Sequence, residues 1–366
     1  MSRLQAISVM IKPVSGLCNM RCRYCFYADE LHHRGQALPP MSTDTLEKVV
    51  RRVMRSAERA VHFVFQGGEP TLIGLDYYRK AIEFQQRYAH PGQIVTNALQ
   101  TNGLCIPEAM MRFFATHHFL LGVSLDGDAQ THDLFRLDAQ GGGTFARIRE
   151  TLSSMEALGV EYNILCVVNE AVARHAEQVL DALVPYRFLQ FIPCLDPLDG
   201  TRNDFSLTEQ RYLSFLKRAF DRYAQAFYQG MPFSVRMFDN WISLLMGRGA
   251  ENCAMLGRCS ANLMVESNGD VYPCDFYGLD AWKLGNLRDH SLGGMLQGEV
   301  LGRFIEESLP VPERCRACRW YPLCRNGCKR ERDARTGIQR WCRVYQDFFA
   351  YALADMEQIA RRMQGA

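Results

Sequence analysis

From residue 7 to about 193, short runs rich in β-branched and aromatic residues alternate with longer stretches whose apolar positions recur at helical spacing. This is the pattern of βα units around a parallel sheet. The strand-like runs fall at 7–11, 61–65, 93–99, 119–125, 162–168 and 188–192. Between them, 43–60, 76–88, 108–117, 145–158 and 173–183 read as amphipathic helices, and one more is expected at 207–229. Ser42 is placed to cap the first helix, with Asp44 and Glu47 in its opening turn, where the helix dipole favours acid.

The residues just past each strand narrow the topology. Strand one is followed by a run with three cysteines, strand two by Gln66-Gly67-Gly68-Glu69-Pro70, and strand three by Gln100-Thr101-Asn102-Gly103. Strand four runs into Ser124-Leu125-Asp126-Gly127, and strand six into Cys194-Leu195-Asp196-Pro197. Polar and glycine-rich chemistry at nearly every C-terminal strand end is what an α/β barrel collects on one face. A doubly wound sheet would gather it at a single switch point. The expected fold class is therefore α/β: a partial (β/α)6 TIM-type barrel over residues 1–235, then a small cysteine-rich domain over 236–366. In the latter, 263–267 and 270–272 flank Asn268-Gly269 and read as a β-hairpin with a type I′ turn, delivering Cys274 at its exit.

Composition limits the partners. A length of 366 residues suits two domains, and 42 basic against 40 acidic residues leave a formal charge of +2. No basic tract argues for nucleic acid. No apolar run reaches a membrane span, and the N-terminal one is too short for a signal peptide, so a cytoplasmic protein is expected. In that compartment 14 cysteines point to metal or redox chemistry rather than disulfides.

Three of them, Cys18, Cys22 and Cys25, stand within eight residues, with no fourth. Closed structural metal sites take four protein ligands, and iron–sulfur cubes normally take four cysteines. Three thiols after a strand thus describe a centre with one open position; the competing readings are a partial zinc site or surface thiols. This Cys-x3-Cys-x2-Cys run, with aromatic Tyr24 before its last cysteine, resembles the hallmark of the radical S-adenosylmethionine superfamily. The resemblance implies that the open iron chelates S-adenosylmethionine and that one electron splits it to a 5′-deoxyadenosyl radical. It further implies cofactor contacts at Tyr24, Gly68, Ser124, Arg136 and Leu195. Gly68, Ser124 and Arg136 also have ordinary readings, as a strained turn, a strand-end cap and a surface ion pair respectively.

Eight cysteines crowd the C-terminal part: Cys253, Cys259, Cys274, Cys315, Cys318, Cys324, Cys328 and Cys342. Spacing alone leaves a pair of four-cysteine zinc ribbons open. The run resembles the SPASM arrangement, which implies two auxiliary [4Fe-4S] clusters, for three in all. By that resemblance one is held by Cys253, Cys259, Cys274 and Cys328, the other by Cys315, Cys318, Cys324 and Cys342. Fully ligated clusters move electrons rather than bind substrate.

Cys25-Phe26-Tyr27, the stretch 65–72, Val123-Ser124-Leu125-Asp126-Gly127 and Tyr272-Pro273-Cys274-Asp275-Phe276-Tyr277 extend the likeness: nearly the whole chain resembles the anaerobic sulfatase-maturating enzymes. That implies oxidation of a cysteine or serine of an unfolded sulfatase to formylglycine, with Asp275 as base, Gln66 and Tyr27 near the target, and a flavodoxin or ferredoxin as electron donor. One alternative is a radical enzyme that crosslinks a small peptide; strand one begins by residue 7 and leaves no room for the precursor-binding domain such enzymes often carry. Another is a zinc-ribbon interaction protein. Cys105, Cys166 and Cys194 remain; Cys166 reads as a core residue, and Cys194 stands at a strand end.

Overall fold

The computed structural model describes residues 4–34 and 38–365. The chain forms two compact units: one from the described residues up to Ser124 with Arg136–Tyr162 and Ala261–Phe304, the other from Leu125–Phe135, Asn163–Ser260 and the described residues from Ile305 onward.

Unit one contains β1 (Leu4–Ile11), β2 (Ala57–Phe65), β3 (Ile94–Thr101) and β4 (Leu120–Ser124), parallel neighbours in chain order. Helices α1 (Phe26–Arg34), α2 (Thr43–Ser56), α3 (Leu75–Tyr88) and α4 (Glu108–Thr116) lie between them in the chain. Ser42 accepts the Thr45 N–H at 3.2 Å and caps α2, whose Leu46, Val49, Val50 and Val53 are fully buried at helical spacing. Phe65, Tyr78, Phe114 and Phe119 pack between the strands and helices with ring centroids 4.9–5.3 Å apart in successive pairs, the first two pairs edge-on and the third tilted.

The hairpin strands β8 (Leu263–Val265) and β9 (Asp270–Tyr272), with β10 (Gly285–Asn286), also belong to unit one. β8 runs parallel to β1, with Val9 opposite Leu263 and Ile11 opposite Val265. Unit two contains β5 from Asn163 onward (Tyr162–Val168), β6 (Phe188–Pro193) and β7 (Ser234–Val235), again parallel in chain order. Its helix Glu209–Tyr228 packs on the C-terminal helix Cys342–Gln364 through Tyr212 on Trp341, 4.7 Å between centroids, and Phe220 on Phe348, 5.8 Å. Chain-order parallel strands joined by helices are the topology of a (β/α) barrel, without the order reversal of a doubly wound sheet.

Several elements differ from expectation for identifiable reasons. The first helix ends at Ser56 rather than 60, because Ala57 pairs with Leu4, and Ala60 with Ala6 and Ile94; sheet pairing overrides helix propensity there. The 173–183 helix is two helices, Glu170–Arg174 and Ala176–Leu183, parted at His175. α1 was not expected, since its one buried residue is the acid Glu30 rather than an apolar side chain. The C-terminal helix was also unexpected, although Phe348, Ala352, Met356 and Ile359 recur at helical spacing along it. The hairpin turn is not type I′. Only Gly269 has positive φ, at 90°, and the Glu266 N–H donates to Asp270 O at 2.8 Å across a three-residue loop.

Candidate active site

The cysteine run occupies the loop between β1 and α1, and all three thiols are half-buried. The Cys25 N–H closes a turn on Cys22 O at 3.2 Å. The Cys18 sulfur accepts the Met20 N–H at 3.4 Å and the Asn102 side-chain amide at 3.6 Å. Burial pushes the Cys18 thiol up; the Met20 N–H opposes this, while Glu69 and Cys25 add to it. Thiolates crowded in this way suit a multiply charged cationic centre, and N–H···S bonds are among the means by which proteins tune iron–sulfur potentials. The donor set therefore fits a cluster. The loop is tied down by the Arg21 N–H donating to Leu137 O at 2.7 Å and by the Arg21 guanidinium on the carbonyls of Cys18 and Met20, both at 2.9 Å.

The glycine turn after β2 braces this loop. A Cβ on Gly68, whose φ is +50°, would stand 2.2 Å from Leu17 O, so only glycine admits the cysteine loop at this distance. The next residue, Glu69, is 1% exposed. Its carboxylate accepts from Thr71 N at 3.0 Å, Thr71 Oγ1 at 2.6 Å, Thr101 Oγ1 at 2.9 Å and Asn102 N at 2.7 Å. Arg136 is buried and donates to the Tyr24 hydroxyl at 3.0 Å. Ser124 ends β4, half-buried; Leu195 lies in unit two, half-buried just past β6.

Asp275, at the hairpin exit, meets Gln66 from elsewhere in unit one. The Gln66 side-chain amide donates to Asp275 Oδ2 at 3.3 Å and also to the Tyr27 hydroxyl. Burial raises the Asp275 carboxyl, and Lys12 is the largest opposing influence. Tyr27 is pushed well above the usual phenol range by burial first and by Asp275 second. Gln66 thus links a carboxylate and a phenol through one amide.

In unit two, Cys315, Cys318, Cys324 and Cys342 line a single cavity of about 370 Å³, measured out to solvent. Gln339 donates to the Cys324 sulfur at 3.4 Å, and Gln346 to those of Cys318 and Cys342 at 3.6 and 3.7 Å. Burial pushes the Cys328 thiol up to about 12, with Glu331, Cys253 and Cys259 adding to it. Cys274 belongs to unit one. Among the described residues no three or more ligand groups form a site for a single metal ion. Cys315, Cys318, Cys324 and Cys342 thus face one shared cavity, with the Gln339 and Gln346 amides on three of their sulfurs.

A model of the Radical SAM superfamily matches residues 13–183, and one of the SPASM iron-sulfur cluster-binding domain matches 253–319. The cysteine-type anaerobic sulfatase-maturating enzyme of Clostridium novyi is 38% identical, over 98% of this chain and 99% of its own. The chain belongs to the anaerobic sulfatase-maturating enzymes. Within this family, the serine-type anaerobic sulfatase-maturating enzyme of Klebsiella aerogenes is 30% identical, over 98% of this chain and 88% of its own. The solved structure of native anSMEcpe with bound AdoMet and Kp18Cys peptide matches with a TM-score of 0.93 at 38% identity, covering 98% of this chain and 99% of that one. Streptococcus suis SuiB bound to precursor peptide SuiA matches at a TM-score of 0.63 and 14% identity, over 93% of this chain and 75% of that one, a likeness of fold alone.

For this sulfatase-maturating enzyme, sequence reasoning missed what Glu69, Asn102 and Lys12 do. Glu69 and Asn102 were visible as polar strand-end residues, but their bonds to each other and to Cys18 join segments more than 30 residues apart. Cys166 is wholly buried in β5 and Cys105 is exposed. Burial pushes the Cys194 thiol up to about 12, with Asp126 and Asp196 adding to it, which leaves it a poor nucleophile at neutral pH.

Proposed function

We propose that this enzyme oxidises a cysteine or serine of an unfolded sulfatase polypeptide to Cα-formylglycine in the cytoplasm. The observation that carries this reading is the convergence of Tyr27, Gln66 and Asp275, drawn from three distant stretches of unit one. The higher identity to the cysteine-type relative, 38% against 30% for the serine type, favours cysteine as the preferred target. The proposed organisation is a radical domain over 1–235 and an auxiliary-cluster domain over 236–366.

Cys18, Cys22 and Cys25 would hold the first of three [4Fe-4S] clusters, with Tyr24, Gly68, Ser124, Arg136 and Leu195 around S-adenosylmethionine. When bound, that cofactor supplies a 5′-deoxyadenosyl radical able to take a β-hydrogen from the target. Asp275 Oδ2 accepts the proton of the target thiol or hydroxyl while Gln66, hydrogen-bonded to it at 3.3 Å, holds the carboxylate in line. Met20 and Asn102 steady the Cys18 sulfur, and Arg136 steadies Tyr24. Cys253, Cys259, Cys274 and Cys328, with Cys315, Cys318, Cys324 and Cys342, are the ligands assigned to two further clusters, so that the electron released by oxidation has somewhere to go. A flavodoxin or ferredoxin would deliver the starting electron.

The test is to incubate the reduced, anaerobically purified enzyme with S-adenosylmethionine and short peptides of the cysteine and serine types. A peptide aldehyde detected by mass supports the proposal, and deoxyadenosine without aldehyde from either peptide defeats it. The likeness to SuiB, at 14% identity, lends the crosslinking alternative no support beyond fold.

A further inference from the structure

Lys12 ends up 4% exposed one residue past β1, where a charge is costly unless something answers it. Its N–H donates to Val265 O at 2.9 Å, tying the end of β1 to β8, the strand of the hairpin that leads to Asp275. Its aliphatic stem passes directly over Gly67: a Cβ there would stand 2.5 Å from Lys12 Cγ and 2.8 Å from Cδ. The glycine thus opens the path by which the ammonium reaches the interior.

There the ammonium lies 4.2 Å from the centre of the Tyr27 ring and 3.5 Å from a carboxylate oxygen of each of Glu30 and Glu266. Neither contact has the 2.7–2.9 Å length of a tight charge-assisted bond. Glu266 already has a better partner in Arg34, at 2.8 Å. Glu30 keeps one buried oxygen without a hydrogen-bond partner among the described residues. The ammonium is therefore poorly placed as a fold-stabilising ion pair and well placed over Tyr27, where a desolvated cation–π contact is strongest.

We propose that Lys12 is a positioning residue of the oxidation: threaded past Gly67, its ammonium seats the ring of Tyr27, and Gln66, which donates to both the Tyr27 hydroxyl and Asp275, passes that placement on, so that the target side chain meets the groups in one arrangement. This rests on the reading of Asp275 and Tyr27 as the groups that meet the target.

The test uses Lys12→Met, which keeps the stem and removes the charge, in the anaerobic, cluster-loaded enzyme. Deoxyadenosine and peptide aldehyde are counted together, with iron content as a control. The ratio of aldehyde to deoxyadenosine should fall about tenfold or more, since misplaced reacting groups uncouple radical formation from product. The double variant Lys12→Met with Glu30→Gln rebalances the buried charge without restoring the ammonium, and its ratio should stay low. A wild-type ratio in the single variant overturns the proposal. So does recovery of the ratio in the double variant, which would make Lys12 only the counter-charge of Glu30. Parallel loss of iron and of both products in both variants overturns it too, making Lys12 a folding residue. A wild-type enzyme that makes deoxyadenosine but no aldehyde from either peptide instead defeats the formylglycine reading.

Discussion

Glu69 accepts the backbone N–H of Asn102 at 2.7 Å. That bond fixes the residue whose side chain reaches the Cys18 sulfur at 3.6 Å. Oε1 of Glu69 takes the three donors from Thr71 and Thr101, and Oε2 takes Asn102 alone. Glu69→Gln should therefore be far from conservative, because the new amide nitrogen meets the Asn102 N–H donor to donor. A loss of roughly 1–3 kcal/mol is expected, with iron content and thermal midpoint falling together. Thr71→Val, which removes one donor from the fully shared oxygen, should be milder by both measures.

The close approach of Gly68 to Leu17 makes a sharper prediction. Gly68→Ala places a Cβ against backbone that leads straight into Cys18, so the cysteine loop must shift. Purified protein should carry about one cluster's worth less iron than wild type. Gly159 also has a positive φ, at 69°, but open space around it, which makes Gly159→Ala the control. It should cost only about 1 kcal/mol, with iron content unchanged.

Asp275→Asn keeps the shape of the side chain and removes its capacity to take a proton. Deoxyadenosine should still form with peptide present, while aldehyde falls by about a hundredfold or more. Normal aldehyde yield from this variant, measured by peptide mass, would refute the base assignment. Cys22→Ala should abolish both products, since it removes a ligand assigned to the radical cluster.

Burial raises the Glu30 carboxyl to about 7, against the opposing pull of Lys12. A carboxyl held above its unfolded value binds a proton in the folded state over a range where the unfolded chain has released it. Stability from this group is thus present below about 4.5 and is lost as pH rises toward about 7. The full difference is roughly 3 kcal/mol. Glu30→Gln should flatten the pH dependence of the thermal midpoint across that window.

Much of the molecule was determined by sequence alone. The Cys18, Cys22 and Cys25 spacing, the alternation of strands and helices, and the Ser42 cap are local features, each readable within a dozen residues. The partial barrel followed from what stands at the strand ends. Tertiary structure alone decided the rest. Pairing of β1 with β2 turned 57–60 from helix to strand, and pairing of β8 with β1 placed the hairpin in unit one. α1 is invisible to periodicity because it buries Glu30, which Lys12 and Gly278 meet from other segments. Periodicity reports which face of an element avoids water, and that is a local property. Which distant polar groups satisfy one another once buried depends on register and close approach, and those exist only in the assembled fold.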